Sequence, residues 1–105
     1  MMSEITKGLV VTLEARRGCE DELERFLVAA RELAAEEPGT VAWFAFRTGP
    51  GSFGIFDVFP DDGARRAHLS GPIAAALLAR ADELLAEPPV IAEADVLADS
   101  IAEAR

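Results

Sequence analysis

The stretch that decides the fold is residues 38–72, PGTVAWFAFRTGPGSFGIFDVFPDDGARRAHLSGP. Two runs rich in aromatic and β-branched residues, 41–47 and 53–59, flank a short segment of Thr, Gly, Pro and Ser, which is typical of a β-hairpin. Asp61 follows the second run and is a suitable N-cap for a short helix that continues through Leu69. The stretch therefore predicts two antiparallel strands followed directly by a helix.

The flanking segments extend this pattern in both directions. Residues 9–15 alternate apolar and polar side chains, which indicates a first strand, and residues 20–37 repeat apolar residues at helical spacing until Pro38 and Gly39 end the helix. A second C-terminal helix is predicted after Ser70 or Gly71, with Pro72 in its first turn. Residues 90–98 alternate again and predict a last strand.

The resulting order is strand, helix, strand, strand, helix, strand, with the short helix before the last long one. This order predicts an α+β fold of the ferredoxin-like split βαβ type, in which a four-stranded antiparallel sheet carries its helices on one face. The 105 residues suit a single domain. We expect one domain over 1–105, with a core at about 8–98 and a polar C-terminal tail at 99–105.

The second face of such a sheet would carry Val, Ala, Phe and Ile side chains with no helix over them. An apolar patch of several hundred Å² is unfavourable in water, and burying it at about 25 cal/mol per Å² would contribute on the order of 10 kcal/mol before the cost of association. The sequence therefore predicts a homodimer that packs through the open sheet face.

Composition excludes several partners. The net charge is −9, with one Lys and nine scattered Arg, so nucleic-acid binding is not expected. No apolar run approaches the roughly 20 residues of a membrane span, and the N-terminal residues lack the pattern of a signal peptide. We therefore expect no membrane association and a cytoplasmic location.

The chain contains no Tyr, Asn or Gln, and it has one His and one Cys. These counts exclude a two-His metal site and any site built on an amide or a phenol side chain. The Gly residues near Pro50 fit a hairpin turn, and they do not form a phosphate-binding loop. We therefore predict no metal and no cofactor, and we interpret Cys19, at a predicted helix start, as structural.

Two ionisable residues of the central stretch are candidates for chemistry. His68 has an ordinary pKa suited to proton transfer, although a His on a short helix can also simply bond to the backbone or lie exposed. Asp57 stands between apolar neighbours on a strand, where a carboxylate needs a partner or water. Either it pairs with Arg47 or Arg65, or it is a buried base with a raised pKa. We expect Arg65 and Arg66 at the surface.

The first strand, the long helix, PGT at 38–40, the aromatic strand, GIFDVF at 54–59 and then PDDGARRAHL and SGP resemble the antibiotic biosynthesis monooxygenase family across nearly the whole chain. In that family the strand before the second helix carries an aromatic, an acid and a Trp, and an alanine-rich helix with a His follows. The matching positions here are Phe56, Asp57, Phe59 and His68. The resemblance implies a dimeric α+β barrel with a pocket between sheet and helices.

The resemblance also implies an activity, which is cofactor-independent oxidation of a small phenol, quinol or anthrone by O2. It makes His68 the base or proton relay, Trp43, Phe46 and Phe56 the walls around the ring, and Arg47 an anion partner. The aromatic residues are equally suited to a core and a dimer contact. The alternatives are a non-catalytic dimer that binds a small molecule and a polyketide cyclase or isomerase.

Overall fold

A computed structural model describes residues 4–101 of the chain. The elements in chain order are β1 (Lys7–Glu14), α1 (Glu20–Ala35), β2 (Ala42–Arg47), β3 (Ser52–Phe59), α2 (Asp62–Leu69), α3 (Pro72–Leu84) and β4 (Val90–Asp95). Every predicted strand and helix is present. The last strand ends at Asp95, earlier than the predicted residue 98, and residues 102–105 of the predicted tail lie outside the described part.

The four strands form one antiparallel sheet in the order β2-β3-β1-β4. The hairpin partners β2 and β3 are neighbours, and β1 lies between β3 and β4. This is the predicted ferredoxin-like split βαβ arrangement, with α1, α2 and α3 on one face of the sheet. The fold class inferred from the sequence is confirmed.

Local signals place the starts of α2 and α3 where they were expected, whereas α1 ends at Ala35, two residues before the predicted end. Asp61 Oδ1 accepts a hydrogen bond of 2.8 Å from the backbone N–H of Ala64, which caps α2. Gly71 is the N-cap of α3 and Pro72 is its first residue. The short connection between α2 and α3 keeps the two helices adjacent on the same face of the sheet.

The main core lies between the sheet and the helices. The pleat of the central strands sends alternate side chains to the helix face, where they pack against the apolar stripes of α1 and α3. The buried members of this cluster are Val11, Leu13, Leu23, Leu27, Phe53, Ile55, Leu77, Leu84 and Leu85.

The opposite, open face of the sheet is also apolar, and no helix of the described chain covers it. Val10, Phe44 and Phe46 expose 39%, 55% and 45% of their surfaces, and Phe56 lies on the same face beside Phe44. Gly54 lies directly beneath the ring of Phe46, where a Cβ atom would clash with it. The aromatic residues of the hairpin are therefore divided between the two faces.

Arg65 differs from its predicted surface position. It is 6% exposed, and its guanidinium donates to the carbonyl oxygens of Gly8 and Ala94 and to the carboxylates of Asp62 and Glu93. These bonds fasten α2 to β1 and β4, which explains the burial of its charge. Arg66 is 72% exposed in its side chain, as expected.

No helix among residues 4–101 combines the length and the apolar character that crossing a bilayer would demand.

Two adjacent residues of α3 provide a test of the core. Leu77 is 6% exposed and Leu78 is 61% exposed. We expect Leu77→Ala to lower the free energy of unfolding by about 2–5 kcal/mol, because it leaves a cavity under the sheet. Leu78→Ala should cost less than about 0.5 kcal/mol. Denaturant unfolding at one protein concentration measures both values, and equal losses would contradict this orientation of α3.

Candidate functional site

Three ionisable side chains from distant segments meet beneath the helices. Asp57 lies on β3 and points to the helix face, because it shares the alternation of the buried Phe53, Ile55 and Phe59. His68 is in the last turn of α2, and Glu37 follows the end of α1. We call Glu37, His68 and Asp57 the carboxylate–imidazole cluster.

Both ring nitrogens of His68 face carboxylates. Nδ1 lies 2.5 Å from Glu37 Oε1, and Nε2 lies 2.9 Å from Asp57 Oδ2. The side chains are almost enclosed, with 7% of His68, 1% of Asp57 and 14% of Glu37 exposed. Thr40 Oγ1 donates a hydrogen bond of 2.7 Å to the same Oε1 of Glu37, and the ring of Phe59 lies 5.3 Å from that of His68.

These surroundings decide the charge of His68. Burial disfavours the charged ring, but the close carboxylates of Asp57 and Glu37 outweigh burial and raise the pKa of His68 from 6.5 to about 9. His68 is therefore an imidazolium at neutral pH. With a carboxylate at each nitrogen, it has no free position at which to accept a further proton.

Asp57 has an unusual amount of free acceptor capacity for a buried group. Although Oδ2 is close to His68 Nε2, the ring N–H is not well aimed at it, and within residues 4–101 neither oxygen of Asp57 has a hydrogen bond of good geometry. A buried carboxylate in this condition is exceptional in native structures. Glu37 Oε2 is likewise buried without a hydrogen-bond partner among the described residues, but of the two carboxylate residues only Asp57 lines the small cavity beside the cluster.

The expected pairing of Asp57 with Arg47 or Arg65 is wrong. In the strand register Arg47 lies opposite Phe53, which is about 13 Å along β3 from Asp57. The guanidinium of Arg47 donates hydrogen bonds to Glu24 and to the turn carbonyls of Gly49 and Pro50. Arg65 is occupied by the contacts that fasten α2 to the sheet. The charged partner of Asp57 is His68.

A small cavity of about 70 Å³ adjoins the cluster between the sheet, α2 and α3. Apart from Asp57 and His68 its lining is entirely apolar, and it comprises Leu9, Val11, Ile55, Leu69, Ile73, Ala74, Leu77, Leu78 and Ile91. Leu78 and Ile91 are exposed, so the cavity reaches the surface between α3 and β4. Asp57 therefore borders a small apolar space whose lining includes two side chains exposed at the surface.

The predicted ring walls lie elsewhere. Trp43, Phe46 and Arg47 line a separate open groove of about 460 Å³ between α1 and β2, which includes neither Asp57 nor His68. Phe56 lies on the open face and lines neither this groove nor the cavity beside Asp57. The residues proposed from the sequence are thus divided among three places. Trp43, Phe46 and Arg47 meet at the groove, Phe56 is on the open face, and only His68 and Asp57 come together in the cluster.

Trp43 lies close to both the groove and the carboxylate–imidazole cluster. It is the direct cross-strand partner of Asp57 in the β2–β3 register, and it packs against both apolar clusters of the core. Its indole Nε1 is buried and has no acceptor among the residues described. Trp43 is therefore both part of the groove wall and a direct neighbour of Asp57 across the sheet.

Glu37 was not identified from the sequence. It lies in a Glu-Glu-Pro-Gly segment at a helix end, and no spacing to Asp57 or His68 marks it. Across residues 4–101 no group of three or more His, Cys, Asp and Glu side chains has an arrangement suited to a metal ion.

Similarity to solved structures agrees with this fold. Proteins from Caulobacter crescentus and Nitrosomonas europaea, each described as a "putative antibiotic biosynthesis monooxygenase", match with TM-scores of 0.77 and 0.79 at 22% and 14% identity. The matches cover 91% and 88% of this chain and 93% and 99% of theirs. The chain is therefore an α+β ferredoxin-like protein with the fold of the antibiotic biosynthesis monooxygenases.

A nearer relative is the NE2512 protein of Nitrosomonas europaea, a protein of unknown function whose crystal structure is known. It is 46% identical, with a TM-score of 0.95, and the match covers 98% of this chain and all of that one. The chain belongs to the same family as NE2512. No family model matches the chain, and no curated protein does.

The raised pKa of His68 predicts how stability depends on pH. Because the folded state binds this proton more tightly than the unfolded chain, the stabilisation is complete below about pH 6.5 and is lost as the pH rises through about 9. We expect the free energy of unfolding to fall by on the order of 3 kcal/mol between these limits.

Urea unfolding at a series of pH values measures this loss, and His68→Gln is the control because it removes the titrating ring. The slope with pH should be much smaller in the variant. Parallel curves for the two proteins would show that His68 does not carry the effect.

Proposed function

We propose that the protein is a cofactor-independent monooxygenase that removes a proton from a small phenol or quinol at Asp57 and lets the resulting anion react with O2. The observation that supports this most directly is the Asp57 carboxylate, which is 1% exposed, has free acceptor capacity and borders an apolar cavity. Such a carboxylate is poorly solvated, and a substrate O–H entering the cavity would meet an unoccupied acceptor.

His68 has a second role in this proposal. Both of its nitrogens already face carboxylates, so we assign proton removal to Asp57 and not to His68. The positive charge of the imidazolium lies 2.9 Å from the acceptor and would offset the negative charge that develops on the bound substrate. The low polarity of the cavity lining strengthens this electrostatic effect.

The oxidation needs no group that the chain lacks. Once deprotonated, a quinol is electron-rich enough to transfer an electron to O2, and the two radicals combine as a ring hydroperoxide. Loss of the hydrogen on the same ring carbon, as a proton, with cleavage of the O–O bond then gives a hydroxyquinone and water. One oxygen atom enters the product, the other leaves as water, and the substrate supplies all the electrons.

The size of the cavity favours the smallest members of the expected substrate class. An engineered apolar cavity of about 150 Å³ is known to hold benzene, so about 70 Å³ accommodates a single ring only if the mouth at Leu78 and Ile91 opens. A tricyclic anthrone is therefore a poorer fit than a one-ring phenol or quinol.

The same size supports a second candidate function. A space this small, lined almost entirely by apolar side chains, is also consistent with a non-catalytic member of the fold that binds a small apolar molecule. A cyclase or isomerase would use the same carboxylate for proton transfer but would not consume O2.

We further propose that two copies of the chain pack through the open sheet face. Phe44, Phe46 and Val10 form a partly exposed apolar surface there, and Phe56 and Ala92 extend it across the sheet. A patch of this character is rare on a monomer. Face-to-face packing of two sheets would bury it in both copies at once.

Mass measured in solution tests the dimer. We expect about twice 11.2 kDa from light scattering, and Phe44→Asp should give the monomer mass because it places charges in the sheet contact. Val28→Asp is the control, since Val28 is 68% exposed on the helix side. A wild-type monomer at micromolar concentration would contradict the proposal.

Oxygen consumption tests the activity. Purified protein is mixed with a panel of one-ring phenols and quinols, and O2 uptake is compared with that of the compound alone. We expect Asp57→Asn to lower kcat at least about 100-fold, because the amide cannot accept the proton. Asp95→Asn, a surface carboxylate paired with Lys7, should leave kcat unchanged.

The failures of this experiment are informative. Saturable quenching of the fluorescence of Trp43, the only Trp, with no O2 uptake would favour the non-catalytic protein that binds a small molecule. Product formation without O2 would favour the cyclase or isomerase. Full activity in Asp57→Asn would show that another group removes the proton.

A further inference from the structure

Glu37 touches none of the cavity, yet it holds the group that does. Its Oε1 lies 2.5 Å from His68 Nδ1 and accepts a second hydrogen bond from Thr40 Oγ1. The other ring nitrogen, Nε2, faces Asp57 at the cavity wall. Glu37 is thus behind His68, on the side away from the proposed substrate.

We propose that Glu37 is a positioning residue of this site, which fixes the ring of His68 through Nδ1 and keeps it an imidazolium with Nε2 beside Asp57. The proposal rests on the proposed function for its chemical purpose. Its physical content concerns the orientation and charge of His68 and holds for any ligand that binds beside Asp57.

The first argument is orientation. Rotation of an imidazole about its Cβ–Cγ bond exchanges each nitrogen with a ring carbon, so a hydrogen bond held at Nδ1 also fixes the position of Nε2. Glu37 is itself fixed, because Thr40 bonds the same oxygen and Pro38 follows in the chain. The two contacts together leave His68 one favourable orientation.

The second argument is charge. The charged groups that face His68 are Asp57 from β3 and Glu37 from the segment after α1, while Arg65 on its own helix bonds the sheet carbonyls instead. The ring is 7% exposed in its side chain and lies beside the apolar Phe59. Burying the positive charge of the ring in this setting is unfavourable. Asp57 alone would have to offset the whole of that cost, and Glu37 adds a second negative charge that stabilises the imidazolium.

The experiment uses the fact that the chain has one His, so the His68 ring gives a single, unambiguous set of NMR signals. The ring is titrated in the wild type, in Glu37→Gln and in Glu36→Gln. Glu36 is the neighbouring acid, is exposed and makes no contact with the cluster. We expect the midpoint near 9 in the wild type and in Glu36→Gln, and a midpoint moved toward 6.5 in Glu37→Gln.

The pH profile of O2 uptake is the second readout. If His68 must be charged, the alkaline loss of kcat in Glu37→Gln should move to lower pH by the same interval as the NMR midpoint, with KM changed less than about twofold. If Glu37 had only a structural role, its substitution would lower the amount of folded protein without shifting the pH at which kcat is lost.

Thr40→Val provides a second variant in case Glu37→Gln folds poorly. It keeps both carboxylates and removes one bond to Oε1, so a smaller shift of the His68 midpoint in the same direction is expected. An unchanged midpoint in Glu37→Gln would overturn the proposal, and so would a shifted midpoint with an unchanged pH profile.

Failure of the proposed function is distinguishable from failure of this inference. If no compound of the panel is oxidised, the NMR titration still decides whether Glu37 sets the charge and orientation of His68. A positive titration with no oxidation would retain the role of Glu37 at a binding site. A negative titration with O2 uptake would retain the activity and remove Glu37 from it.

Discussion

The pleat of β3 is the constraint on which the rest of this structure depends. Because side chains alternate across a strand, Phe53, Ile55, Asp57 and Phe59 must point to the helices, and Gly54, Phe56 and Val58 must point to the open face. One residue of slip would exchange the two sets. The core, the buried carboxylate and the apolar open face therefore all follow from a single register.

Burial of Asp57 in turn requires the carboxylate–imidazole cluster. An isolated carboxylate under the helices would be very unfavourable, and His68 on α2 supplies the opposite charge. Glu37 then supports the charge on His68 from the end of α1. Three segments far apart in the chain are joined by these contacts, and removing His68 would leave two buried carboxylates without an opposite charge. A buried ionic cluster is weak evidence for stability alone, and its position beside a cavity with free acceptor capacity gives it chemical interest.

Much of this fold could be predicted from the sequence, and the reasons are local. The hairpin, the Asp61 cap, and Pro72 at the start of α3 depend on residues within a few positions of one another. The burial of Arg65 could also have been predicted. Residues three apart share a helix face, so a helix that directs His68 to the sheet directs Arg65 to the sheet as well. The charged surroundings of Asp57 could not be predicted. The arginines near Asp57 in the sequence bond to other groups, and no local sequence pattern identifies Glu37 as a member of the cluster.

The sequence by itself determined the order of elements, the split βαβ class, the apolar character of both sheet faces and the candidacy of Asp57 and His68. These follow from periodicity and turn chemistry, which act over short distances along the chain. Only the tertiary structure decided that Glu37 completes the cluster, that the aromatic residues line a separate groove, and that the cavity beside Asp57 is small. Those features depend on how α1, α2 and α3 pack over the sheet, where side chains distant in sequence compete for the same space and the same charges.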